Sequence, residues 1–92
     1  MDINLPDITV QSEWTEASQL KKIAEEFGEV CEALMQGDPI NTVKEALDTM
    51  QTCKTLISMV QKEWNIDIDM FLKEHVEKLE RKGYLKEGEE WI

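Results

Sequence analysis

Apolar residues recur at Leu20, Ile23, Phe27, Val30 and Leu34, in steps of three and four. That spacing draws one stripe along a helix and predicts a helix over residues 13–36. Ser12 stands ahead of it as N-cap, with Thr15 and Glu16 in the first turn. Gly37 and Pro39 close it. A second helix is predicted over 41–63, capped by Asn41 or Thr42. It carries two apolar sets: Val43, Leu47, Met50 and Ile57 on one side, and Thr52, Leu56 and Met59 nearly opposite. Apolar residues on opposite sides imply cover from both directions, by this chain and by another. A third helix over 68–82 follows from Phe71, Leu72, Val76 and Leu79, with Asp67 or Asp69 as cap and Gly83 as stop. His75 stands between those apolar positions and reads as a core or interface histidine.

Residues 1–12 lack helical periodicity. Pro6 and the alternation of Ile8 with Val10 predict an extended arm that can lie across a neighbouring helix. Residues 83–92 form a tail. The fold class is all-α, in one domain over 1–92. Its short antiparallel helices complete a four-helix-bundle-like core by oligomerisation. At 92 residues the chain buries a small core on its own, which favours association.

The formal net charge is −10, which excludes phosphate-backbone binding as the main role: no nucleic acid polymer is expected as a partner. No apolar run reaches membrane-spanning length, so no membrane partner is expected either. Cys31 and Cys53 lie inside helical patterns, with no CxxC pair. They read as buried, reduced residues of a cytoplasmic protein.

The acidic residues carry the chemistry. Glu26 and Glu29 are one turn apart on the flank of the first stripe, and Glu25 is one turn from Glu29. Glu45 and Asp48 repeat that spacing on the second helix, on the side shared with Thr52, Leu56 and Met59. Two antiparallel helices that each offer two carboxylates make a four-carboxylate site. Carboxylates on an apolar face need a cation, and few basic side chains share that face. Oxygen donors without histidine select Mg²⁺, with Mn²⁺ as a substitute, over Zn²⁺. A di-iron site would add a Glu-x-x-His element, but Leu72 stands three residues before His75. No phosphate-cradling Gly-rich loop is present.

"EEFGE" (Glu25, Glu26, Glu29) followed by "EALD" (Glu45, Asp48) resembles the EExxE and ExxD motifs of MazG-type all-α nucleoside triphosphate pyrophosphohydrolases, over roughly residues 17–82. The resemblance implies Mg-dependent hydrolysis of (deoxy)nucleoside triphosphates to monophosphate and pyrophosphate. It implies Glu26, Glu29, Glu45 and Asp48 as metal ligands, with Glu25 and Glu29 orienting or deprotonating water. It implies basic residues near the phosphates, here Lys78 and Arg81, to which Lys22 on the first helix is added. It also implies a homodimer or homotetramer. Trp14, ahead of the acidic motif on the same helix, is the first choice among the aromatics for a base-binding wall. Phe27, Trp64, Tyr84 and Trp91 follow. "QTCKT" is more polar than the family's usual stretch after ExxD, and so short a chain calls for a small or shared base pocket. The alternative is a non-catalytic acidic helical oligomer acting as an interaction protein.

Overall fold

The computed structural model describes residues 1–85. Within them lie three helices, α1 (Glu16–Met35), α2 (Pro39–Trp64) and α3 (Ile68–Arg81), and no strand. The expected tail falls mostly outside this range, as does Trp91.

Local chemistry fixes each helix end. Thr15, not Ser12, caps α1: its hydroxyl accepts the Ser18 N–H at 3.0 Å, and Ser18 Oγ accepts the Thr15 N–H at 2.9 Å. The helix stops in a Schellman turn. Gly37 takes φ +68°, its N–H reaches Leu34 O, and the Asp38 N–H reaches Ala33 O. Asp38 then caps α2 through the Asn41 N–H at 3.0 Å, with Pro39 at the first helical position. Pro39 thus opens α2 rather than stopping α1, and the helix starts earlier than Asn41. Asn65, at φ 51°, ends α2, and Asp67 caps α3. Gly83 closes α3 with a second Schellman turn, its N–H on Glu80 O and that of Tyr84 on Leu79 O.

α1 and α2 pack as an antiparallel hairpin, in which Glu26 meets Thr52 and, further along α1, Glu29 meets Glu45. The seam is unusually polar. Gln19, Glu26 and Ala33, spaced by seven, are the buried residues of α1, and Thr52 and Thr55 those of α2. The threonines can be buried because each hydroxyl has an acceptor: Thr55 donates to the carbonyl four residues back, Gln51 O, at 3.0 Å, and the one Thr52 proton goes to Glu26 at 2.6 Å, with Asp48 O a longer second acceptor at 3.1 Å. Ala33 is the one buried apolar residue among those described.

The apolar stripe of α1 is therefore not its inner face. Leu20, Phe27 and Leu34 are 62, 61 and 67% exposed, while Ile23 and Val30 are half-buried. On α2, Val43, Met50 and Ile57 are also exposed. The arm crosses α2 beside them. Gln51 Nε2 donates to Pro6 O at 2.8 Å, and Lys54 Nζ donates to Leu5 O and pairs with Asp7 at 3.4 Å. α3 makes little contact with the hairpin, and Met70, Phe71 and Leu72 are exposed on it. The Cα radius of gyration is 15.4 Å, against about 12 Å for a compact chain of this length.

Two further expectations are corrected. Cys31 is exposed and Cys53 only half-buried, although both are free thiols as read from sequence. His75 is exposed rather than part of a core within the chain, since α3 makes little contact with the hairpin among the described residues; the reading as an interface histidine is untouched.

Candidate active site

The hairpin brings carboxylates of the two acidic motifs together. Glu26 projects into the seam and is only 8% exposed. Its Oε1 accepts the Thr52 hydroxyl at 2.6 Å, a short charge-assisted bond that offsets part of the cost of burial. One turn further along α1, Glu29 reaches Glu45 of α2. Their hydrogen bond needs one retained proton, and it holds the Glu45 carboxyl above its ordinary range. Desolvation adds to this, followed by the charges of Glu29, Asp48 and Glu26. Glu45 thus lies within electrostatic reach of Glu29, Asp48 and Glu26. Lys54 with Asp7 is the one ion pair among the described residues, so no basic side chain neutralises the cluster there. Glu25 and Asp48 are exposed at its edge.

The basic candidates lie elsewhere. Lys78 and Arg81 are exposed in the last turn of α3, and α3 stands off from the hairpin. Lys22 is exposed, with Nζ 6.0 Å from the centre of the Trp14 ring, at the outer limit of a cation–π contact. Trp14 itself is half-buried. It lines a cleft of about 990 Å³ walled by Thr9 and Val10 of the arm, the start of α1, and Ser58, Met59, Lys62 and Glu63 of α2. Of the other aromatics, Phe27, Trp64 and Tyr84 are exposed.

Residues 14–83 match the MazG nucleotide pyrophosphohydrolase domain. The chain belongs to this family. No curated protein and no solved structure matches it. The match spans Glu25, Glu26, Glu29, Glu45 and Asp48 and the whole hairpin.

Oxygen-only donors without a counter-cation fit a hard divalent cation by their chemistry. As packed, no three His, Cys, Asp or Glu side chains among the described residues converge as a metal-holding group. Glu26 is engaged by the Thr52 hydroxyl, and Glu29 lies against Glu45.

Sequence reasoning missed two features. Thr52 was counted with the apolar set, yet its hydroxyl holds a carboxylate. The spacing of Gln19, Glu26 and Ala33 by seven was the available signal for the true inner face. The second missed feature is a carboxyl pair in the cleft, Glu16 of α1 with Glu63 of α2. Positions so far apart in the chain carry no local signature.

Proposed function

We propose that this MazG domain hydrolyses (deoxy)nucleoside triphosphates to the monophosphate and pyrophosphate, with Mg²⁺ held by Glu26, Glu29, Glu45 and Asp48. The observation that carries the reading is the Glu29–Glu45 pair: one carboxyl from each motif, close enough across the hairpin that Glu29 raises the Glu45 carboxyl above its ordinary range. Bound there, Mg²⁺ (or Mn²⁺) supplies Lewis acidity toward the triphosphate oxygens.

The chain's own groups do the rest. Glu29, with Glu25 one turn away, orients the attacking water and accepts its proton as the new phosphorus–oxygen bond forms. The bond bridging the α- and β-phosphates breaks, and pyrophosphate leaves. Glu26 is held in place by Thr52. Lys22, Lys78 and Arg81 are the proposed phosphate contacts, the last two brought to the site by assembly. Trp14 supplies a flat wall for the base.

The assembly is a homodimer or homotetramer. Leu20, Phe27 and Leu34 on α1 and Val43, Met50 and Ile57 on α2 repeat every seven residues and are exposed, as in the open half of a helical bundle. A second hairpin would complete a four-helix core. No helix of the described residues is long and apolar enough to cross a membrane. With two free cysteines, we assign the chain to the reducing cytoplasm.

The test is release of pyrophosphate and monophosphate from a panel of NTPs and dNTPs, with and without Mg²⁺. Glu29→Gln runs alongside it. Mg²⁺-dependent release that the variant lacks supports the assignment. A folded protein that releases nothing from any nucleotide points instead to the acidic oligomer as an interaction protein.

A further inference from the structure

Glu26 is the buried member of the four proposed ligands; Glu45 is half-buried, and Glu29 and Asp48 are exposed. The two oxygens of Glu26 are not equivalent. Oε1 accepts the Thr52 hydroxyl at 2.6 Å. Oε2 has no hydrogen-bond partner among the described residues, yet it is not among their atoms shut off from solvent. One oxygen is engaged by the protein and the other is open.

Thr52 is well placed to keep Oε1. Its hydroxyl carries one proton, and the carboxylate is a nearer acceptor than Asp48 O, at 3.1 Å one turn back. The two side chains are 5% and 8% exposed, so water competes poorly for the bond. A hydroxyl on a carboxylate at this distance makes one of the stronger hydrogen bonds a protein offers. The bond also crosses the seam, and it fixes Glu26 relative to α2, the helix that carries Glu45 and Asp48.

The number of oxygens a carboxylate can offer bears on which cation it suits. Mg²⁺ demands near-ideal octahedral geometry and keeps several waters, which fits carboxylates that give one oxygen each. Ca²⁺ is larger, takes more oxygens and accepts both oxygens of one carboxylate. We propose that Thr52 is a positioning residue that sets the cation preference of the site: by holding Oε1 it limits Glu26 to a single metal oxygen, Oε2, and so favours Mg²⁺ over Ca²⁺. Thr52 touches neither cation nor substrate and acts through Glu26. The proposal rests on the reading that the four carboxylates bind a divalent cation.

The test is calorimetric titration of the full chain, without nucleotide, with MgCl₂ and separately with CaCl₂. The unaltered chain should bind Mg²⁺ more tightly than Ca²⁺. Thr52→Val keeps the side-chain shape and frees Oε1. It should move the ratio of the two affinities at least about tenfold toward Ca²⁺, the scale on which hydrogen-bond partners of metal ligands act. Thr52→Ser, which keeps the hydroxyl, should give a ratio close to that of the unaltered chain. A merely structural role for Thr52 would weaken both cations alike and leave the ratio in place. Saturable binding with the same ratio in all three proteins overturns the proposal and leaves the metal reading standing. No saturable binding of either cation by the unaltered chain strikes the metal reading, and this proposal with it. If Thr52→Val fails to fold, the unaltered chain decides alone, and Ca²⁺ bound more tightly than Mg²⁺ overturns the proposal.

Discussion

Thr52 donates its hydroxyl to Glu26 across the α1–α2 seam at 2.6 Å, and both residues are buried. A polar bond thus sits where a helical hairpin normally places a leucine. Thr52→Val keeps the shape and removes the donor, leaving Glu26 unsatisfied. It should lower stability by about 1–3 kcal/mol in urea titration, and Thr52→Ser should recover most of the loss. If Thr52→Val is neutral, the bond does not support the seam.

Glu45→Gln removes an acid that the seam holds in an unfavourable pair. It should abolish triphosphate hydrolysis and raise the melting temperature of the metal-free protein at neutral pH. Mg²⁺ should raise the melting temperature of the unaltered chain and do so much less in the variant. Differential scanning fluorimetry with EDTA and then Mg²⁺ reads both effects. Equal Mg²⁺ shifts in the two proteins would remove Glu45 from the ligand set.

Glu16 gives the pH dependence a definite sign. Its carboxyl is raised by the hydrogen bond with Glu63, then by desolvation and then by the charge of Glu63. A carboxyl with a higher pKa in the folded state binds its proton more tightly there. Its contribution to stability is therefore full below the ordinary glutamate range and is lost as pH rises through the raised value. Glu45 acts in the same direction. Without metal, the protein should melt at a higher temperature in mildly acidic buffer than at neutral pH, and Glu16→Gln should flatten the profile. Calorimetry in EDTA across that range is the check. A profile left unchanged by Glu16→Gln would show that the pair does not titrate as described.

Phe27 is 61% exposed on the outer stripe of α1. Phe27→Asp removes nothing from the hairpin seam but places a charge on the open apolar face. Sedimentation velocity should show the oligomer falling to a single chain. Hydrolysis should fall with it if Lys78 and Arg81 arrive from a partner. An undisturbed oligomer would place the interface elsewhere, with the exposed residues of α3 as the next surface to alter.

The sequence showed much of this fold, and the reasons are local. Helix caps and glycine stops depend on a few neighbouring residues, so α3 was readable to within a residue, with Asp67 one of its two candidate caps. The approach of Glu45 to Glu29 was readable because two helices with a short link can only fold back on each other. The inner face of α1 was not. Leu20, Phe27 and Leu34 announce a buried stripe, but periodicity does not say which molecule buries it. Gln19 and Glu26 look like surface residues until Thr52 is placed opposite. The Glu16–Glu63 pair depended on the closure of the whole hairpin, which no window of sequence contains.

The turn at Gly37 and Asp38 acts as a ruler for the two acidic motifs. The Schellman turn ends α1 and the Asp38 cap starts α2 at once, so the link has no slack. One residue added inside α2 between Pro39 and Glu45 would rotate the motif by about 100° and turn Glu45 away from Glu29. Lengthening can preserve the phase only if a turn added to α1 is matched by a turn added to α2. The length of the stretch between Glu29 and Glu45 is therefore quantised by the helix pitch, while Ala33, Gly37 and Asp38 hold the seam and the turn within it.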